Sequence, residues 1–519
     1  MRILKRIVII SVVMLLLATA IVIRLTWQSP VHWRGNIMDA TPAREHASGP
    51  LRHSIAGSPY FSDNSGKAVY LTGSHVWNNL QEIEPPLRMD NESRWLEPTD
   101  PRKEFDFAKY LRFLVTENHN FIRLWAWEEP TWLSWLNTRI TIEPSPFART
   151  GPGLAFDGLP KFDLTKFNQN YFDRLRSRVR EAGDNGIYVS VMLFEGWSIG
   201  SYGMTGKNPW QSHPFNFPNN INGVSGDLNK DNEGLEIHTL KNPEVTALQE
   251  AYIRKIVSTL NDLDNILYEI ANESPPTSKD WQYHMINFIR ECEANQAKQH
   301  PIGMTTCFPA CENSELFASP ADWISPNCTD KEDYCKNPPE SNGRKVVITD
   351  TDHLCGVFCG GTWVWKSFAR GLNPIFMDPV WMPQWESSRK AMGMTRAYAM
   401  RMDLARVRAR SELASSGYCL ANPESEYLVY VPFQPHKLES LPIIRRFRSK
   451  ISNFRWRIKQ KVAVDLSAAA GDFSVEWCDP ATGNITDGTF VRGGGKRSFT
   501  APFRGDAVLY LRKQTAGNS

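Results

Sequence analysis

Eight short apolar runs, separated by segments with helical spacing, restrict the fold of this chain more than any other feature. The runs lie at 68–77, 121–128, 187–197, 265–273, 301–307, 323–327, 345–352 and 374–381. Helix-like segments at 105–118, 166–182, 243–263 and 281–297 lie between them, and a longer one, 387–413, follows the eighth run. In the second of these segments Tyr171, Phe172, Leu175 and Val179 recur at three- and four-residue spacing with Asp and Arg between them, which presents one apolar face. Eight strand–helix alternations predict an α/β fold, a (β/α)8 TIM-type barrel. No Gly-rich phosphate loop follows any run, so the usual basis for a doubly wound sheet is missing.

A chain of 519 residues exceeds one ordinary domain and suits a barrel plus a smaller unit. After about residue 415 the helices stop. Strand-like stretches at 426–431, 462–466, 473–477 and 507–511, with a turn at Asp479-Pro480-Ala481-Thr482-Gly483-Asn484, predict a small antiparallel β-sandwich. The expected organisation is an export segment at 1–30, a linker at 31–54, a barrel at 55–414 and a sandwich at 415–519. Within the sandwich, 434–461 is strongly basic, with Glu439 its only acid. Ile443, Ile444, Phe447, Ile451, Phe454 and Ile458 fall there at helical spacing. This predicts an inserted basic amphipathic helix, either a solvated arm or a contact with an anionic lipid or polysaccharide surface.

Arg2, Lys5 and Arg6 precede an apolar run at 7–23 that Arg24 closes. Such a segment directs the rest of the chain across a membrane. Because the run continues past Ala18-Thr19-Ala20, an uncleaved membrane anchor is favoured over a cleaved signal peptide. The globular part is therefore expected outside the cytoplasm. The nine cysteines include three close pairs, Cys307/Cys311, Cys328/Cys335 and Cys355/Cys359, which fit local disulfides. They lack zinc-site spacing, and neither metal nor cofactor is expected. A net charge of +3 argues against nucleic acid as the main partner.

The chemistry concentrates at strand ends. The fourth run finishes in Asn272-Glu273-Ser274-Pro275, an amide and a carboxyl group where parallel barrels keep their active face. Capping of a following helix by Glu273 is the structural alternative. The seventh run ends Val346-Val347-Ile348-Thr349-Asp350-Thr351-Asp352-His353, and strand alternation would put Asp350 and Asp352 on one side. Carboxylates from strands four and seven can straddle a bond over the mouth, as glycosidic cleavage requires. Pairing of Asp352 with Arg123, Asp350 fixing only His353, and a cation at the Asp-Asp-His cluster are the other readings. Further groups face the same end: His75 and Trp77 from strand one, Arg123, Trp125 and Glu128 from strand two, Glu195 and Trp197 from strand three, and Asp378 and Trp381 from strand eight. Acidic, amide and aromatic groups in a ring suit sugar hydroxyls and ring faces. Long connections after strands one to three, 78–103, 128–163 and 196–240, would shape a cleft above them.

Ile270-Ala271-Asn272-Glu273-Ser274 and Val347-Ile348-Thr349-Asp350 resemble the motifs of the large retaining glycoside hydrolase clan. In that clan the acid/base follows strand four and the nucleophile ends strand seven. More narrowly, Gly73-Ser74-His75-Val76-Trp77, Asp350-Thr351-Asp352-His353 and Phe376-Met377-Asp378-Pro379 resemble apiosidase-like barrels. Tyr427-Leu428-Val429-Tyr430 and Phe473-Ser474-Val475-Glu476-Trp477-Cys478-Asp479-Pro480 resemble the sandwich that follows those barrels, whose family name is collagen-binding. The resemblance covers about residues 55 to 513. It implies Glu273 as acid/base, Asn272 orienting the sugar 2-hydroxyl and Asp350 as nucleophile, with Asp352 holding His353 or Arg123. Asp replaces the usual Glu at 350, and Asp352 would lie one strand step further out, about 6–7 Å. The basic insert also departs from the short hairpin of that sandwich. Two functions fit: an exported hydrolase of a complex polysaccharide or oligosaccharide, and a non-catalytic carbohydrate-binding protein on a degenerate barrel.

Overall fold

The structure, a computed structural model, describes residues 31–40, 46–90, 92, 94–96, 104–133, 138–200, 208–309, 311–329, 331–379, 385–433 and 459–514. The expected export segment at 1–30 and most of the basic insert, 434–458, lie outside the described residues. Among those described, no helix is long and apolar enough to cross a membrane.

Eight parallel strands form the barrel: β1 Gly73–His75, β2 Phe121–Leu124, β3 Tyr188–Glu195, β4 Ile266–Asn272, β5 Ile302–Thr305, β6 Trp323–Ser325, β7 Val346–Asp350 and β8 Asn373–Met377. They are hydrogen-bonded in the order β1-β8-β7-β6-β5-β4-β3-β2. Each falls within an expected run or overlaps it. The first run is split: Ala68–Val69 pairs with Phe61–Ser62 in a separate hairpin, and only the end of the run joins the barrel. The seam between β1 and β2 is closed by Asn120, whose backbone N–H donates to the Thr72 carbonyl at 3.0 Å while its side-chain oxygen accepts from the Thr72 N–H. Gly73 lies at this seam because a Cβ there would stand 2.1 Å from the Phe121 carbonyl oxygen. Phe121, Leu267, Val346, Ile348 and Ile375 fill the barrel interior below the mouth. Their outward neighbours Ile122, Tyr268, Ile270 and Val347 pack beneath the helices. This is the two-residue alternation expected of strands buried on both faces.

The C-terminal unit has one sheet running from Arg408–Ala409 through Cys419–Asn422, Glu426–Val431, Ala507–Lys513 and Asp472–Cys478 to Asn484–Asp487. A second sheet pairs Lys459–Asp465 with Lys496–Arg504. Val429, Val464, Phe473, Leu509 and Ala501 lie in the core between them. Three expectations need correction. Residues 31–54 are not a simple linker: Gly35–Asn36 adds an edge strand beside Asn484–Asp487, and Ile37 is fully buried against the shared core. The long helix after β8 covers Glu386–Arg401 rather than 387–413, and the sandwich begins near 408. Lys459 and Lys461, assigned to the basic helix, lie in a strand.

Barrel and sandwich share one core. Helices α1 (Gly361–Ala369) and α2 (Glu386–Arg401) pack on the sheet through Trp365, stacked on Tyr430 at 6.1 Å, and through Tyr398, edge-on to Tyr510 at 5.5 Å. Glu476 accepts from the Tyr398 hydroxyl at 2.9 Å and from both terminal nitrogens of Arg401. Trp365→Ala is therefore expected to destabilise the whole chain by about 3–5 kcal/mol, and Trp365→Phe by less. Denaturant unfolding checks this, and loss of the sandwich transition alone would contradict a shared core.

Candidate active site

Arg123 is the centre of the barrel mouth. It follows Phe121 on the inward face of β2 and is 1% exposed. Its Nε donates to Glu269 at 3.0 Å and its Nη2 also meets that carboxylate, in a fork-to-fork pair from β2 to β4. Its Nη1 donates to Asp350 at 2.8 Å and to Asp352 at 3.4 Å, and its Nη2 to the Asn272 side-chain oxygen at 2.7 Å. Glu269 also accepts from the Ser190 hydroxyl at 3.0 Å.

Asp350 ends β7, fully buried. His75 approaches it at 3.0 Å, and the backbone N–H of Asp352 donates to its Oδ1 at 3.0 Å. That second bond closes a turn over Thr351–His353, so Asp352 is not a continuation of the strand. The expected outward step between the two aspartates does not occur. Both carboxylates reach the same Arg123 nitrogen, with Asp352 the more open of the two at 10% side-chain exposure against 1%.

Arginine only donates, so the Asn272 atom it meets is the oxygen. The His353 Nε2, 2.9 Å from that oxygen, must then donate, and His353 Nδ1 accepts from the Ser325 hydroxyl at 2.9 Å. Burial and the Arg123 charge push the His353 imidazole down to about 3, which keeps it neutral. The Asn272 amide nitrogen donates to Glu195 at 3.2 Å, and Glu195 accepts from the Trp197 N–H at 3.0 Å. Asn272 thus organises its neighbours with both ends of its side chain.

Glu273 follows directly at φ +44°, a left-handed conformation that non-glycine residues seldom adopt. A Cβ on Gly196 would lie 2.2 Å from the Glu273 carbonyl oxygen, so the glycine after β3 makes room for this bend. Burial, then the negative charges of Asp352 and Asp350 against the opposing charge of Arg123, push the Glu273 carboxyl up to about 8. Burial and the charge of Asp350, opposed by Arg123, push Asp352 up to about 6. Burial would also raise Asp350, but His75 and Arg123 outweigh it and hold that carboxylate well below its usual range. Glu195 is raised well above its usual range by burial, and further by Glu273.

The other expected site residues divide. Trp125 lies under the charged cluster, parallel to His75 and 4.9 Å from the Arg123 guanidinium carbon. Trp77, Trp127, Trp132 and Trp197 continue from it as a chain of ring contacts along one wall of the mouth. Glu128 turns away from the cluster. It accepts from the Glu195 N–H at 2.8 Å and lies 3.3 Å from His213 and 3.7 Å from His238, which overcome its burial and lower it to about 2. Asp378 is buried in an ion pair with Arg389 of α2 at 2.5 Å and holds that helix against β8. Trp381 lies outside the described residues. Glu269, Ser325, His213 and His238 were missed from sequence. Glu269 had a signal, an acid two residues from inward-facing Leu267 inside an apolar run, but the three others are joined to the site only by folding.

Residues 142–309 match the family model described as a domain of unknown function, DUF6298. No curated protein matches the chain. Among solved structures, a glycoside hydrolase aligns at a TM-score of 0.54 and 12% identity, covering 92% of this chain and 100% of its own. A putative glycoside hydrolase from Bacteroides vulgatus ATCC 8482 aligns at 0.55 and 12%, covering 91% and 84%. A glycoside hydrolase family 5 protein from the same organism aligns at 0.51 and 13%, covering 91% and 96%. This chain shares their fold. Barrel and sandwich both lie within that likeness, since it spans nine-tenths of the chain.

Because the folded Glu273 carboxyl is raised from 4.5 to about 8, it favours folding fully below pH 4.5 and progressively less as pH rises to about 8. Glu273→Gln removes that loss. The variant is expected to be more stable than the parent by about 1–3 kcal/mol at pH 8, with the gain shrinking toward pH 4.5. Thermal unfolding across this range checks it, and a gain independent of pH would contradict the assignment.

Proposed function

We propose that this protein is a retaining glycoside hydrolase, with Glu273 as acid/base and Asp352 as nucleophile. One observation carries the proposal: two buried carboxyl groups, Glu273 after β4 and Asp352 after β7, meet at the barrel mouth, and Arg123 is bonded only to the second, so that burial raises Glu273 further than Asp352. Two titratable groups driven apart in this way divide the work of acid and base. Asp352 attacks the anomeric carbon, and the bond to the leaving oxygen breaks as Glu273 protonates that oxygen. Glu273, now ionised, then takes a proton from the water that releases the glycosyl ester. Asp350 ranked first from sequence, but its oxygens are occupied by His75, Arg123 and the Asp352 N–H, and it is sealed from solvent. Asp352 has one long bond to Arg123 and the larger influence on Glu273 of the two aspartates. In this reading Asp350 and Arg123 fix the position and charge of Asp352, and Asn272 acts through Glu195 and His353 rather than by a 2-hydroxyl contact alone.

Glu273→Gln is expected to lower turnover of a substrate with a poor leaving group at least about a hundredfold. In the parent, kcat/KM should rise as Asp352 ionises near pH 6 and fall as Glu273 loses its proton near pH 8. Added azide should rescue Asp352→Gly on an aryl glycoside panel and give a glycosyl azide of inverted configuration. Rescue of Asp350→Gly instead would return the nucleophile role to Asp350. Failure of both, with sugar still bound, would favour a non-catalytic carbohydrate-binding protein.

We also propose that the enzyme works outside the cytoplasm on a polysaccharide, held at the membrane by residues 7–23. The basic flank and apolar run support this, as do three local disulfides, Cys307–Cys311, Cys328–Cys335 and Cys355–Cys359. Fractionation of expressing cells should recover the protein with membranes. A soluble mature form beginning between residues 21 and 30 would refute the anchor.

A further inference from the structure

Two of the disulfides close five-residue rings, and each ring presents a phenylalanine. Cys307–Cys311 encloses Phe308 just after β5, and Cys355–Cys359 encloses Phe358 in the turns after β7. Phe308 is 38% exposed, and Phe358, at 81%, is the most exposed large apolar side chain among the described residues. An isolated exposed phenylalanine is ordinary on a protein surface. These two differ in location and in their support. The Phe308 N–H donates to the carbonyl of Ser274 at 3.0 Å, which ties the first ring to the residue after Glu273. The Cys355 N–H donates to the Thr351 carbonyl at 2.9 Å, which ties the second ring to the turn that carries Asp352. Each ring is thus tied by a backbone bond to the segment that carries one of the carboxyl groups. The third disulfide, Cys328–Cys335, follows β6 and so lies on the loop between them.

A covalent ring of this size limits the conformations of its loop, so an exposed aromatic side chain is held in place without burial. Such a surface is prepared for a ligand with an apolar face, because little ordering entropy remains to be lost on contact. On the loops after β1 and β3, Trp77 and Trp197 are half-buried over a core of Trp125, Trp127 and Trp132.

We propose that Phe308 and Phe358 are sugar-binding platforms, each stacking on a pyranose or furanose ring of the polysaccharide beyond the residue being cleaved. The proposal rests on the carbohydrate reading of this site and adds which residues set preference for a chain over a single sugar. It does not require that the barrel be catalytic. The disulfides are part of the device, since reduction frees both rings.

The test uses the full chain carrying Glu273→Gln, to prevent turnover, on an immobilised array of plant and bacterial polysaccharides. Phe358→Ala and the double variant with Phe308→Ala should each weaken binding to the polysaccharides that the parent retains, at least fivefold for the double variant. Phe358→Trp, which keeps an aromatic face, should restore it. Phe358 is so exposed that its removal leaves the fold intact, which thermal unfolding verifies. Mild reduction with dithiothreitol should weaken binding in the parent and have little further effect in the double variant. The proposal is overturned if the alanine variants bind as the parent does, if Phe358→Trp fails to rescue, or if the parent retains no polysaccharide on the array. If the variants lose binding and the chain with Glu273 intact cleaves no glycoside, the platforms stand and the hydrolase reading falls. If the chain with Glu273 intact cleaves glycosides and the variants bind normally, the reverse holds.

Discussion

The buried guanidinium of Arg123 governs the site. One cation meets three carboxylates, Glu269, Asp350 and Asp352, in a place almost closed to water. A charge removed from water must be compensated locally, and the forked pair with Glu269 compensates this one before any mouth residue is counted. The remaining acids, Asp350, Asp352, Glu195 and Glu273, then crowd around a cation already largely balanced. They cannot all stay ionised in a low dielectric. The two bonded most directly to Arg123 and His75 take the negative charge most readily, and those further out hold their protons. The difference between Glu273 and Asp352 follows from this competition.

Backbone geometry sets which acid occupies which place. Two-residue alternation brings Arg123, Glu269 and Asp350 inward at the upper end of β2, β4 and β7, above the apolar layer of Phe121, Leu267 and Ile348. Beyond the strands the periodicity ends and local turns take over. The Asp350 side chain captures the Asp352 N–H and folds the second aspartate back beside the first. At β4 the left-handed bend at Glu273, accommodated by Gly196, turns the chain out of the strand direction. Strained conformations of this kind persist only where the surroundings fix them, and here the Asn272 network and the Phe308–Ser274 bond do so.

The sandwich contributes at a distance. Its sheet buries the outer faces of α1 and α2, the helices that flank β8, through Trp365, Tyr398, Tyr430 and Tyr510. The Arg389–Asp378 pair carries that support back to the barrel end. The segment before the barrel completes the same sheet, so both ends of the described chain contribute to the unit that packs on these helices.

The barrel was legible in the sequence because its periodicity is local: a doubly buried strand needs a continuous apolar run, and each of the eight runs contains or overlaps a strand. The strand-end positions of Asn272, Glu273, Asp350 and Arg123 were legible for the same reason. What the sequence left open depends on contacts between residues far apart in the chain. Alternation extended to Asp352 gave a wrong spacing, because a side-chain hydrogen bond, not the pleat, decides the path after residue 350. Glu128 and Asp378 looked like mouth residues until His213, His238 and Arg389 drew them aside. Glu269 passed as part of an apolar run because its partner is 146 residues away. Apolar pattern is written residue by residue along the chain. The division of charge among five acids around one arginine exists only once β2, β4 and β7 have brought them together.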